Sequence, residues 1–235
     1  MKYDAIMFDL DGTLLPMDND VFIREYVSLL AQMAEKKCGY EKELFQKGMW
    51  MGVVAMMKND GSCKNEDRFW NVSARILGEG LHQYVSVFDE FYQNEFHETK
   101  AFTSPNPMAK QALEEARKKA SKVILATNPL FPEVAVRTRM SWIGLKPEDF
   151  DWVTNYANSS TCKPNPQYYK DICEQFELDP SKCLMIGNNA QEDIEAAAAA
   201  GIAGFLIKDW LICEGELPDC PQGSFEDMLD YLKGL

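Results

Sequence analysis

An α/β fold, with a parallel sheet carrying helices on both faces and an all-helical insertion, is predicted by three features of this 235-residue chain. Short apolar runs at 6–8, 123–126, 183–186 and 204–207 have the character of strands buried on both faces. From residue 103 onward such runs alternate with helix-patterned segments, the order that produces a parallel sheet. Between the first and second runs lies a helix-patterned block, residues 17–102, which divides the chain into a core of residues 1–16 and 103–235 and a helical insert.

Ile6, Met7 and Phe8 form the first strand, and Asp11-Gly12-Thr13 is the turn signal that ends it. Within the insert, Val21 to Lys37 places apolar residues at helical spacing, Tyr40 to Lys58 and Asp67 to Leu77 do so less regularly, and Tyr84 to Phe96 gives an aromatic-rich helix. The cluster Thr103-Ser104-Pro105-Asn106-Pro107 breaks the pattern, and Met108 to Ala120 resumes as an amphipathic helix feeding the strand Val123 to Ala126. Trp152-Val153 is a weaker strand, a helix begins near Gln167, and Cys183 to Ile186 is a clear strand. The alanine run 196–200 reads as a close-packed helix before the last strand, Gly204 to Ile207.

The end of the first strand carries the most chemistry. Asp9 and Asp11 stand just past its carboxyl end, where open α/β sheets keep their ligand crevice. Residues at i and i+2 point the same way, so both carboxylates can face one substrate while Leu10 turns into apolar surroundings. An ionised carboxylate can attack phosphorus, and a second carboxyl group can protonate the leaving oxygen and later deprotonate water. Gly12 permits a positive φ or a close backbone approach.

Composition narrows the partners. A formal net charge of -13 argues against non-specific binding to nucleic acid or to an anionic membrane, both of which need a basic surface. An acidic protein with an anionic substrate needs a local cation to reverse the field. The seven cysteines are odd in number and scattered, and only two histidines are present, which argues against zinc and against a disulfide framework. Reduced thiols, the absence of a signal-peptide pattern and the absence of a membrane-length apolar stretch make the cytoplasm the expected location.

Three further constellations sit at strand ends or in the loops beyond them. Thr127-Asn128-Pro129 offers a hydroxyl and backbone N–H groups that suit a phosphoryl oxygen, although a plain polar turn has the same composition. Lys163 is stiffened by Pro164 in the segment Cys162-Lys163-Pro164-Asn165-Pro166, a setting in which it can neutralise phosphate and nucleophile. The run Gly187-Asn188-Asn189-Ala190-Gln191-Glu192-Asp193 opens the alanine-rich helix; Glu192 and Asp193 there either complement the helix dipole or belong to an oxygen-rich magnesium site.

Taken in order, Asp9-Leu10-Asp11-Gly12-Thr13, Thr127, Lys163-Pro164 and Gly187-Asn188 with Asp193 resemble the four motifs of the haloacid dehalogenase-like hydrolase superfamily. The resemblance spans about residues 1–16 and 103–210, and it implies a Rossmann-like core with a helical cap inserted between the first and second motifs. It further implies a Mg2+-dependent phosphatase acting on a small phosphorylated metabolite. By resemblance, Asp9 is the nucleophile that forms an aspartyl-phosphate, and Asp11 is the general acid/base. Thr127 and Asn128 bind the phosphoryl group, and Lys163 offsets charge on Asp9 and the phosphate. Asp9, Asp11, Asn188 and Asp193 form the metal site.

One position departs from the family pattern, which has aspartate where this chain has Asn188. The amide oxygen can still coordinate Mg2+, but the site loses a unit of negative charge and weaker metal affinity is expected. Three alternatives stay open: a metal-independent 2-haloacid dehalogenase, whose pattern lacks an acid at the position of Asp11; a phosphomutase; and a non-catalytic binder of a phosphorylated ligand or protein. Specificity is expected to reside in the insert. Met49, Trp50, Met51, Met56, Met57 and Trp70 can line an apolar pocket, and Lys58 and Arg68 can meet a second anionic group, although Met and Trp at helical spacing are commonly core residues.

Overall fold

The computed structural model describes residues 2–235. Six strands form one sheet in the order β3-β2-β1-β4-β5-β6: β1 (Tyr3–Phe8), β2 (Ala120–Leu125), β3 (Trp152–Val153), β4 (Cys183–Gly187), β5 (Ala203–Ile207) and β6 (Gln222–Gly223). Every pairing is parallel. Strand order runs outward from β1 in one direction to β3 and from β4 in the other to β6, so the topological switch point lies between β1 and β4.

Alternation along the central strand sorts the core into two layers. Ile6 and Phe8 join Val123, Leu125, Leu184 and Ile186 in the larger apolar cluster, while Ala5 and Met7 join Ile124, Met185, Tyr168 and Tyr169 in the smaller. Both faces of β1 are therefore dry, which is why its apolar run is continuous rather than alternating.

Four α-helices fill the stretch between β1 and the next core helix: α1 (Asn19–Met33), α2 (Lys42–Met57), α3 (Asn65–Leu77) and α4 (Val85–Gln93). Their starts follow from capping. The Asp18 carboxylate accepts from the Val21 N–H at 3.0 Å, and the Glu41 carboxylate accepts from Glu43 and Leu44, so α1 begins earlier and α2 later than apolar spacing alone indicates. The expected single helix over 84–96 is shorter, with 3₁₀ turns at Glu79–Tyr84 and Glu95–Phe102; the Asn94 amide donates to the Glu90 carbonyl and competes for a helical acceptor. α2 and α3 pack closely because Gly52 has no side chain: a Cβ there would lie 2.3 Å from the Ser73 hydroxyl. The chain leaves and re-enters the sheet layer at neighbouring points, joined by a Met17–Thr103 bridge and by the Ser104 N–H donating to the Pro16 carbonyl at 2.8 Å.

Helices α5 (Ala109–Lys119), α6 (Glu133–Trp142), α7 (Gln167–Gln175), α8 (Ala196–Ala199) and α9 (Phe225–Gly234) complete the fold. The alanine run continues a π-helical turn, Ala190–Glu195, that starts at Asn189. α6, β6 and α9 are additions to the sequence reading. α9 had a readable start, since Ser224 and Asp227 form a capping box. Among the described residues no helix is long and apolar enough to cross a membrane.

Candidate active site

The carboxyl end of β1 hands its ladder directly to the site. The Asp9 N–H still donates to the Ile186 carbonyl at 2.9 Å, and the Ala126 N–H donates to the Phe8 carbonyl at 2.7 Å. Asp9 is thereby fixed by its own backbone at the switch point. Gly12, three residues on, has φ +80° and lies so near Asn188 that a Cβ would sit 2.3 Å from its amide nitrogen. The tight turn and the close approach both require glycine.

Lys163 ties the site together. Its side chain is fully buried, and its Nζ donates to Asp9 Oδ1 at 2.9 Å and to Asp193 Oδ1 at 2.6 Å. The other Asp193 oxygen accepts from the Asn189 N–H at 2.9 Å, so this aspartate is held at both ends. Burial works to lower the Lys163 pKa, but Asp193 and Asp9 together raise it well above the usual lysine value. Lys163 is a fixed positive charge beneath the site. Burial pushes Asp9 up to about 8, against the pull of Lys163 and with further upward pressure from Asp193 and Asp11.

A second cation serves the second carboxylate. Arg139, fully buried on α6, donates from a guanidinium NH to Asp11 Oδ2, stacks 4.1 Å from the Phe131 ring and donates from Nε to the Ala135 carbonyl. One Arg139 nitrogen and the other Asp11 oxygen are buried without hydrogen-bond partners. Burial raises the Asp11 pKa above the ordinary carboxylate value and Arg139 opposes the rise.

The loop after β2 is pinned from behind, because the Thr127 carbonyl accepts from Thr154 Oγ1 at 2.7 Å and from Tyr168 Oη at 2.9 Å. Asn128 reaches across to Glu192, donating to Oε2 at 2.9 Å, and its own amide oxygen is buried without a partner. Burial lifts the Glu192 pKa, opposed by Lys163. Asn188 is doubly anchored: its oxygen accepts from Thr13 Oγ1 at 3.0 Å, and its nitrogen donates to the Trp210 carbonyl at 2.6 Å.

Six of the seven residues singled out in the sequence line one pocket of about 230 Å3: Asp9, Asp11, Thr127, Asn128, Asn188 and Asp193. Lys163, the seventh, lies under it. Sequence reading missed Arg139. It had one available signal, since it falls four residues after Ala135 and three after Val136, both buried, and so places a charge on the dry face of α6.

The donor set suits a hard cation. Its side-chain ligands are oxygens, and two buried carboxylates, Asp9 and Asp193, share one ammonium, which leaves negative charge over. Among the described residues no three His, Cys, Asp or Glu side chains enclose a metal position. An open arrangement of one or two carboxylates, with water and substrate phosphate completing the shell, is the usual manner of Mg2+.

Comparison with known proteins places these features in context. The haloacid dehalogenase-like hydrolase family matches residues 3–201. A Mycobacterium tuberculosis protein named as a phosphatase is 26% identical over 211 residues, covering 88% of each chain. The phosphoglycolate phosphatase of Vibrio vulnificus is 26% identical over 208 residues, covering 85% of this chain and 81% of that protein. Among solved structures, a phosphatase of Thermococcus onnurineus superposes with a TM-score of 0.61 at 17% identity, covering 98% of both chains.

Proposed function

The chain belongs to the haloacid dehalogenase-like hydrolase family, and from that footing we propose that it is a Mg2+-dependent phosphatase of a small phosphorylated metabolite, working through an aspartyl-phosphate. The observation that carries this reading is the separate provision for two neighbouring carboxylates: Lys163 on Asp9 and Arg139 on Asp11. Lys163 draws Asp9 toward its anionic form, against the burial that raises its pKa. The other carboxylate is held in place while burial favours its protonated form.

The steps follow from that division. Asp9 Oδ2, free of the Lys163 bond, attacks phosphorus; the bond from phosphorus to the ester oxygen breaks, and Asp11 delivers its proton to that oxygen. Asp11, now a carboxylate, takes a proton from water, whose oxygen attacks the aspartyl-phosphate and releases inorganic phosphate with Asp9 restored. The Thr127 hydroxyl and the Asn128 N–H hold phosphoryl oxygens, and Lys163 offsets the charge that gathers on Asp9 and the phosphate. Asp9, the Asp11 carbonyl, Asn188 and Asp193 would hold Mg2+, which would supply the further positive charge that lets a carboxylate approach a phosphate dianion. The helical stretch 17–102 acts as the cap that covers the pocket, contributing Asn19, Phe22 and Ile23 to its wall. The seven free cysteines suit a reducing cytoplasm.

Phosphate release from p-nitrophenyl phosphate tests the reading. Turnover with Mg2+, lost with chelator and lost in Asp9→Asn, is expected. Chloride release from a 2-chloroacid without metal, and no phosphate release, overturns it in favour of dehalogenation.

A further inference from the structure

A second chamber of different character adjoins the catalytic pocket. Ile23, Leu130 and Phe131 line both the pocket and a neighbouring cavity of about 150 Å3. Beyond these shared walls the cavity is lined by Phe45, Trp50, Trp70 and Phe88 of the helical stretch. The rings support one another: Phe45 and Phe88 stack at 6.0 Å between centroids, and Trp70 meets Phe88 edge-on at 5.4 Å. A chamber of this size with apolar walls takes a benzene-sized guest, as a dry cavity of about 150 Å3 does in lysozyme.

The polar groups that line this chamber bring no positive charge for an anion. The Tyr26 and Tyr92 hydroxyls bond each other at 2.7 Å. Asp89, exposed at the edge, is the one charged residue lining the cavity among the described residues, and it is acidic. No lysine, arginine or histidine among the described residues lines it. Arg68, expected as a partner for a second anionic group, donates instead to Asn59, Asp60 and Ser62 on its own helical stretch. Lys58 is exposed and lies outside both walls. Arg139 stands behind Phe131 with its charge given to Asp11. A carboxylate or second phosphate entering here loses its water without gaining a cation.

We propose that the leaving group is apolar and uncharged: the substrate is a phosphate monoester of a compact aryl-bearing or short-chain alkyl alcohol, its phosphate over Asp9 and its carbon skeleton in the chamber beyond Phe131. This rests on the phosphatase reading above. It departs from the printed name of the Vibrio vulnificus relative, whose phosphoglycolate carries a second anionic group.

The test compares kcat/KM for benzyl phosphate and n-butyl phosphate with that for glycerol phosphate and phosphoglycolate on the full chain with Mg2+. All four are alkyl esters, so intrinsic leaving-group reactivity differs little. The expected result is a preference of at least about tenfold for the two apolar esters, carried mainly by KM. Val53→Asp, which sets a carboxylate in the chamber wall, reduces that ratio at least several-fold. Turnover led by glycerol phosphate or phosphoglycolate overturns the inference and leaves the phosphatase reading standing. Phosphate release from none of the four overturns the inference, and turnover of p-nitrophenyl phosphate then decides separately whether the phosphatase reading stands.

Discussion

Arg139 on α6 holds the carboxylate of Asp11, a residue 128 positions earlier in the chain, while the face of its guanidinium rests 4.1 Å from the Phe131 ring. The pair places the proposed acid/base under the control of a helix that contributes no other charge to the reaction pocket. Because Arg139 itself is absent from the pocket wall, its contribution is to position Asp11 and moderate its proton affinity.

Removing that arginine leaves a largely enclosed carboxylate without its cation. Arg139→Met is expected to cost about 3 kcal/mol of stability, the lower end for a broken buried pair because the Asp11 side chain retains 21% exposure. kcat is expected to fall about 100-fold with KM little changed. Arg139→Lys recovers part of the stability but less of the kcat, since an ammonium offers no planar fork and stacks poorly on Phe131. Urea denaturation of Arg139→Met, Asp11→Asn and the double variant measures the coupling. A double variant that loses the sum of the two single losses contradicts the pairing.

Asp9, the proposed nucleophile, is expected to weaken the fold that carries it. Burial raises Asp9 to about 8 from an unfolded value near 3.8, so the folded chain favours the protonated form. Below pH 4 both states are protonated and nothing is lost. Between pH 4 and pH 8 the folded state holds more proton than the unfolded, and stability declines as pH rises; above pH 8 the penalty is complete. Asp9→Asn does not titrate and leaves Lys163 paired with Asp193. In chelator its Tm is expected to exceed that of the wild type by about 4–8 °C at pH 8, a gain of about 2 kcal/mol, with the gap closing toward pH 4. Melting curves across that range check it, and a gap that does not vary with pH speaks against it.

Legibility in the sequence tracked the distance over which each feature is encoded. β1, its turn and the pair Asp9/Asp11 are contiguous, and the strand register places them where the apolar run predicted. Lys163 and Asn188 were readable because each follows a distinct local signal, a following proline in one case and a strand end in the other. Arg139 was not, because its partner is set by how α6 packs rather than by any neighbour in the chain. The Met and Trp set divided along the same line. Met49, Trp50 and Trp70 line the apolar cavity, Met56 is core, and Met51 and Met57 face outward. Helical spacing alone cannot separate these fates, since the face each presents depends on which helix lies opposite.

Gly12 offers a test of the close approach between the first loop and Asn188. Gly12→Ala imposes a Cβ at φ +80° and drives it to 2.3 Å from the Asn188 amide nitrogen. The conformational term alone costs about 1 kcal/mol, and displacing Asn188 from Thr13 and the Trp210 carbonyl adds to it. Urea denaturation is expected to show a loss of about 2–3 kcal/mol. A loss under 1 kcal/mol indicates that the turn relaxes without moving Asn188.

Asn188 itself separates metal affinity from stability. The family pattern has aspartate there, and Asn188→Asp adds the missing charge beside Asp9, so Mg2+ binding read by calorimetry is expected to tighten about tenfold. The same change removes the donor that the Trp210 carbonyl receives at 2.6 Å and sets a carboxylate against that carbonyl. In chelator the variant is therefore expected to be less stable by about 1–3 kcal/mol, with saturating Mg2+ restoring part of the loss. The opposite signs are what make the experiment decisive. A variant that binds Mg2+ no more tightly removes Asn188 from the metal site, whereas one that is as stable as the wild type without metal shows that the Trp210 contact contributes nothing. Tighter binding together with a weaker apo fold is the outcome that fits an asparagine whose amide N–H serves the Trp210 carbonyl while its oxygen stays available to the proposed metal site.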